Sequence, residues 1–214
     1  RIILGTPPSG NANFMWVQHF AHHLSPNGQA GFVMPNGALA VSGKEGDLRQ
    51  KLIEADLVDV IVSCPSKLFY NVSLPVSLWF LAKNKGSDRF RKRKGETLFI
   101  DARETFEQIS RKQVTFNKEH IKKITDTVRA WRGESGAPKY EDISGFCRSA
   151  NTEEIKKNGY VLTPGRYVGL ADIEDDGVSF EEKMGKLSSE LREGFTKGRE
   201  LEREIENNLK ELGF

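Results

Sequence analysis

The sequence predicts an α/β fold: strands with helices packed on them, a last strand that runs against its neighbour, then a mixed extension and a long C-terminal helix. Three observations predict this. First, amphipathic helical patterns alternate with short apolar runs from Phe14 to Ala82, as expected of helices that feed strands into one sheet. Second, the last two of those runs are joined only by residues 64–73, which lack helical periodicity and are too few for a crossover between parallel strands, so the final strand must reverse. Third, residues 179–212 place apolar side chains at a mixed three–four spacing among Glu, Lys and Arg, a narrow seam on a charged helix.

In chain order, residues 1–10 (RIILGTPPSG) are a short apolar run and a turn-rich loop. Asn11 or Asn13 is a candidate cap for a helix whose inner face carries Phe14, Val17, Gln18, Ala21 and Leu24, and Pro26-Asn27-Gly28 ends it. Residues 30–34 form a short apolar strand closed by Pro35-Asn36-Gly37. A helix over 47–55 turns Leu48, Leu52 and Ile53 inward; the β-branched run 57–63 (LVDVIVS) is a strand, and so is 75–82, with Pro75 at its permissive first position. The first two strands, joined through a helix, are expected to run the same way. Residues 83–95 are basic and polar, 97–101 (TLFID) is a further strand, and 120–131 is a helix built on Ile121, Ile124 and Val128. Residues 132–150 read as irregular, 151–157 as a short helix with Thr152 as an alternative cap, and 160–167 as an extended segment with a Pro-Gly turn.

Composition narrows the function classes. The formal net charge is only +2, against 29% charged residues. A free-standing DNA-binding domain normally carries a stronger basic excess, because phosphate contacts supply much of its affinity, so DNA binding by this chain alone is not demanded. The two cysteines, Cys64 and Cys147, sit in no CxxC or Cys/His cluster, which suits a reducing cytoplasm. No apolar run approaches the roughly 20 residues of a membrane span, and no secretory signal opens the chain. The abrupt start at Arg1 reads as a boundary inside a longer protein.

Several motifs invite chemistry and fail on their details. His19, His22 and His23 have helical metal-ligand spacing but no accompanying carboxylate or cysteine, so no metal is expected. Gly37 to Lys44 imitates a phosphate loop, yet has one residue too many between its glycines and Glu45 where a magnesium-binding hydroxyl is needed. The run 83–94 is either a solvated loop or a phosphate contact.

The phrases GTPPSGNANFMWVQHF, GQAGFVMPNGALA, LRQKLIEADLVDVIVSCPSKLFYNVSLPVSLWFLAKNK, ETLFIDAR, YEDISGFCRSA and NGYVLTPGRYVG, in this order, resemble the C-terminal part of the modification subunit of type I restriction–modification systems. That family transfers a methyl group from S-adenosylmethionine to N6 of adenine in DNA, on a Rossmann-like sheet whose last strand is reversed. The resemblance implies that 30–34, 57–63 and 75–82 are the fifth, sixth and reversed seventh strands. It also implies that the chain comprises the C-terminal half of the catalytic domain (1–95), a mixed family-specific extension (96–178) and a helical tail for subunit contact (179–214).

The family's Gly-containing cofactor loop and Asn/Asp-Pro-Pro-aromatic motif are not in this sequence, and Thr6-Pro7-Pro8-Ser9 has neither the amide acceptor nor the stacking aromatic. No catalytic and no cofactor-binding residue is therefore assigned here, and the chain is expected to be inactive by itself. Pro35, Asn36, Gly37, Phe69 and Tyr70 are assigned to the pocket or rim around a flipped target base, which needs an aromatic face once it leaves the stack. Their ordinary alternatives are a plain turn and core packing. Met184, Leu187, Leu191, Leu201, Ile205 and Leu209 are assigned to subunit contact. Implied partners are DNA, a specificity subunit, a second modification subunit and, in the full complex, a restriction subunit. The rival is a non-enzymatic assembly or DNA-binding module that reuses the half-fold. An open sheet edge where the fourth strand would lie is a liability, expected to be covered or to drive self-association.

Overall fold

The computed structural model describes residues 2–86, 88, 90–170, 179–211 and 213, with only the backbone of Lys183. Leu212, the last apolar residue of the C-terminal seam, and residues 171–178, the end of the extension, lie outside the described residues. The chain divides into two compact units, residues 1–172 and 173–214.

In the first unit, helix α1 (Asn13–His23) leads into strand β1 (Gln29–Pro35), helix α2 (Lys44–Glu54), strand β2 (Val58–Ser63) and strand β3 (Val76–Ala82). Strand β4 (Glu96–Asp101), a hairpin of β5 (Glu107–Ser110) and β6 (Gln113–Thr115), helix α3 (Lys118–Arg132), strand β7 (Cys147–Asn151) and helix α4 (Thr152–Lys157) follow. The main sheet has the order β1-β3-β2-β4-β7. β3 is antiparallel to both β1 and β2, so those two run the same way with the reversed strand inserted between them. β4 pairs parallel to β2, and β7 closes the far edge antiparallel to β4.

The expected strands and reversal are all present, with boundaries shifted by one residue or two. Three local readings are corrected. α1 is capped by Ala12 without a side-chain bond; the Asn11 side chain instead accepts from the Asn13 amide at 3.0 Å. α2 begins three residues earlier than its apolar pattern, because Gly43, at φ 68°, turns the chain directly into Lys44. The irregular stretch hides β7, a mixed-polarity edge strand (CRSAN) that only pairing with β4 makes regular. Asn151 caps α4, accepting from Glu154 N at 2.8 Å, which frees the Thr152 hydroxyl to donate to Gly95 O at 3.1 Å.

The sheet is covered on both faces, so β2 is buried throughout. One face packs Ile61, Trp79, Leu81 and Phe99 against Phe14, Val17, Leu48 and Leu52 of α1 and α2. The other packs Val60, Val62, Leu98 and Ile100 against Trp131 of α3 and Phe146. Between Val58 and Val60, β2 advances two residues for one on β3, and Asp59 is left over in the ladder.

Asp59 is fully buried and holds Arg93 Nη2 at 3.0 Å and Arg132 Nη2 at 2.8 Å. Nearby, Lys85 Nζ meets Asp56 Oδ1 at 2.7 Å. Among the described residues the basic stretch 83–95 is thus not uniformly solvated: Lys85 and Arg93 are buried structural cations and Arg91 pairs with Glu96 at 2.7 Å, while Lys83, Lys92 and Lys94 are exposed. Burial lowers the Lys85 pKa, against the hydrogen bond it donates to Asp56, which raises it.

The second unit is described by helix α5 (Phe180–Glu211). Met184, Leu187, Leu191, Phe195, Leu201, Ile205 and Leu209 are all between 45% and 60% exposed, so among the described residues the seam has no cover. Among the described residues no helix is long and apolar enough to cross a membrane.

Candidate functional site

β1, β2 and β4 point the same way and end at one edge of the sheet, where ligands gather in open α/β folds. Four segments meet this rim. The first is Pro35-Asn36-Gly37, which leaves β1 as a short 3-10 turn (Asn36–Leu39). The Asn36 Oδ1 is buried with no hydrogen-bond partner among the described residues. Such an acceptor costs about 1–3 kcal/mol unless something donates to it, which singles out Asn36 on this turn.

The second segment is the loop 64–75, from β2 to the start of β3, where Val76 faces Pro35 in register. Inside it Val72 N donates to Phe69 O at 3.1 Å, closing a tight turn with Tyr70 at its tip. Tyr70 is 84% exposed and Phe69 42%, so neither is core. The β5–β6 hairpin holds this loop from outside: Val114 N donates to Lys67 O at 3.1 Å, and Lys67 Nζ donates to Arg111 O at 2.9 Å. Between loop and hairpin lies a cleft of about 440 Å³ lined in part by Cys64, Lys67, Arg103, Phe106 and Arg111. Burial pushes the Cys64 thiol up to about 11, which makes it a poor nucleophile at neutral pH.

The third segment follows β4. Asp101 and Arg103 form a paired fork, Nε to Oδ1 at 2.8 Å and Nη2 to Oδ2 at 2.6 Å, and this hydrogen bonding holds the Arg103 guanidinium above its ordinary pKa. The fourth, Thr163-Pro164-Gly165-Arg166, was read from sequence only as an extended turn. Its approach is set by Leu162 N to Leu39 O at 2.8 Å, by Arg49 Nε to Tyr160 O at 2.7 Å, and by Tyr167 stacked on Phe99 with ring centroids 3.9 Å apart. Gly165 sits so close to the fork that an added Cβ would lie 3.0 Å from Arg103 Nη2.

All five rim residues singled out from sequence therefore share one edge. The seam residues Met184, Leu187, Leu191, Leu201, Ile205 and Leu209 belong to the other unit. Sequence reasoning missed Lys67, Arg103, Arg111 and Arg166; the only local signal was Arg111-Lys112 between two short extended runs. His19 and His23 stack on α1 with centroids 6.0 Å apart, and among the described residues no group of His, Cys, Asp or Glu could hold a metal ion.

Comparison with known proteins places this arrangement. The N-6 DNA Methylase family matches residues 1–176. The chain is 50% identical over 215 residues to the type I restriction enzyme HindI methylase subunit of Haemophilus influenzae, covering 100% of the chain and 46% of that relative. It is 51% identical over 208 residues to the type I restriction enzyme MjaIX methylase subunit of Methanocaldococcus jannaschii, covering 97% and 36%. The chain thus spans less than half the length of these relatives. Among solved structures, the type I restriction-modification system methyltransferase subunit of Streptococcus thermophilus superposes with a TM-score of 0.66 at 31% identity, over 77% of this chain and 32% of that one. The EcoKI M protein, 20% identical with a TM-score of 0.59, shares the fold over 94% of this chain and 46% of its own. The reversed strand between two codirectional ones, the rim loops and these matches agree: the chain belongs to the N-6 DNA methylase family, among the methylase subunits of type I restriction enzymes.

Proposed function

We propose that this chain is the C-terminal part of a site-specific DNA adenine-N6 methyltransferase subunit, and that it supplies one flank of the target-base pocket and a helix for subunit docking. The observation that carries the pocket reading is Tyr70, 84% exposed at the tip of a braced turn on the ligand-bearing rim. A ring held out of the core at this edge offers the stacking face that an adenine needs when it is turned out of the duplex. Phe69 beside it, and the Pro35-Asn36-Gly37 turn with its unpartnered Asn36 Oδ1, complete the flank.

S-adenosylmethionine would supply the methyl group and adenine N6 would receive it. The residues described here do not fit that cofactor: Asp101, the carboxylate that ends a strand at the rim, is taken by Arg103, and the family's Gly-containing cofactor loop is not in this sequence. Among the described residues β1 pairs only with β3, so its other edge is available for the strand of a preceding half that carries the cofactor site. The chain by itself is then inactive.

The exposed seam of α5 supports docking on helices of a specificity subunit and a second modification subunit, with a restriction subunit joining the full complex. Two buried free cysteines support a reducing, cytoplasmic setting. The test is transfer of labelled methyl groups to DNA by the full-length subunit with its specificity partner, with this chain in parallel. Labelled adenine from the first sample only is the expected result. Labelling by the chain alone would place the chemistry within it, and labelling by neither would favour the assembly-module reading.

A further inference from the structure

Two sets of cations stand out in this unit. Lys85, Arg91, Arg93 and Arg132 are consumed by Asp56, Asp59 and Glu96. Lys67, Arg111 and Lys112 are not: all three are exposed, and among the described residues none has a carboxylate partner. The Lys67 ammonium group donates only to the Arg111 carbonyl among the described residues, which leaves two of its protons free to donate. Arg111 and Lys112 form the two-residue turn between β5 and β6, and Lys112 N is steadied by Ser110 Oγ at 3.2 Å.

These three cations are continuous with the aromatic tip: Lys67, Arg111, Lys112 and Tyr70 line one depression of about 310 Å³, which shares Lys67 and Arg111 with the larger cleft. That cleft also holds Glu104, and Arg103 there is already neutralised by Asp101. The local excess therefore rests on the three unpaired cations. Charged donors beside a projecting aromatic ring match a strand whose base stacks while its phosphates follow a basic groove.

We propose that the groove between the loop 64–75 and the β5–β6 hairpin binds the DNA backbone next to the turned-out adenine, with Lys67, Arg111 and Lys112 each meeting a phosphate. The proposal deepens the target-base reading and rests on it for its choice of ligand. The hairpin then has two tasks: it braces the Tyr70 turn, and it carries the charges that set the register of the strand.

The experiment uses the full-length subunit assembled with its specificity partner. DNA affinity of Lys67→Ala/Arg111→Ala/Lys112→Ala is measured between roughly 50 and 200 mM salt on cognate and non-cognate duplexes. Each phosphate contact contributes about 0.9 to the slope of log affinity against log salt, so the triple variant is expected to lose about 2.7 of slope, and Arg111→Gln alone about 0.9. The loss is the same on both duplexes, and Lys92→Ala/Lys94→Ala on the other basic stretch leaves the slope unchanged.

An unchanged slope in the triple variant, with an unchanged melting temperature, overturns the groove. So does failure of that variant to assemble with the specificity subunit in size-exclusion chromatography, which would make the surface a protein dock. Tyr70→Ala, followed by the fluorescence of 2-aminopurine at the target position, separates the two readings. A flattened slope in the triple variant beside normal flipping in Tyr70→Ala keeps the groove and removes the stacking role; the converse pair of results removes the groove.

Discussion

Replacing Asp59 by Asn tests the network that turns a basic stretch into structure. Asp59 is wholly buried; its Oδ1 accepts from Arg93 Nε at 3.2 Å and Nη2 at 3.0 Å, and its Oδ2 from Arg132 Nη2 at 2.8 Å. Arg93 is equally buried, lying 5.2 Å from the Trp131 ring centroid, while Arg132 is mostly covered. The substitution preserves shape and one acceptor but leaves two guanidinium groups without their counter-charge. Breaking a buried pair in this way costs roughly 3–5 kcal/mol, since the remaining charge cannot regain its hydration. In a chain of this size that is a fall of roughly 6–20 °C in Tm.

Thermal and urea unfolding followed by circular dichroism supply the assay. The exposed pair Arg129–Asp126, removed as Asp126→Ala, is the reference and should cost no more than about 1 kcal/mol. If Asp59→Asn melts within about 2 °C of the parent chain, the network is not the anchor of residues 83–95 and the reasoning fails. A concerted replacement of Asp59, Arg93 and Arg132 by apolar residues of similar volume should recover much of the loss, because no charge is then stranded.

Asn117 closes a reciprocal cap on α3, its side chain accepting from His120 N at 2.9 Å; Asn117→Ala should cost about 1 kcal/mol in urea unfolding, and a neutral result would deny the cap its role. Glu96 is held below the ordinary carboxylate pKa first by its hydrogen bond from Arg91 and against burial. Its contribution to stability is therefore present above the unfolded carboxylate pKa and lost as pH falls through the lower folded value, so Glu96→Gln should flatten the acid limb of a stability–pH profile. Burial raises the thiol pKa of both Cys64 and Cys147, so a thiol reagent at neutral pH should label them only on unfolding; fast labelling of the native chain would contradict the packing. In α5, open space surrounds Gly194 and Gly198, and Gly194→Ala/Gly198→Ala should raise helicity by about 1 kcal/mol per site; unchanged ellipticity would mean that the glycines do not limit the helix.

The sequence alone determined the elements whose signals are local. Short apolar and β-branched runs marked β1, β2 and β3, helical spacing marked α1, α2, α3 and α5, and the short link 64–73 required the reversed strand, because chain length limits which crossovers are possible. The positions of Pro35, Asn36, Gly37, Phe69 and Tyr70 at strand ends were legible for the same reason, since they lie in loops that leave strands, whereas the target-base role proposed for them came from the family resemblance.

Tertiary structure decided what depends on partners distant in sequence. Strand β7 has no apolar alternation of its own and is a strand only because β4 lies beside it. Residues 83–95 look like a solvated basic loop, and the burial of Lys85 and Arg93 within it follows from carboxylates about 30 residues away in sequence, one of them displaced from the ladder by a bulge. Thr163–Arg166 reaches the rim because Tyr167 stacks on Phe99 across some 70 residues of chain. Charge composition counts cations without showing which are already paired; the fold consumes Lys85, Arg91 and Arg93 and leaves Lys67, Arg111 and Lys112 exposed beside Tyr70.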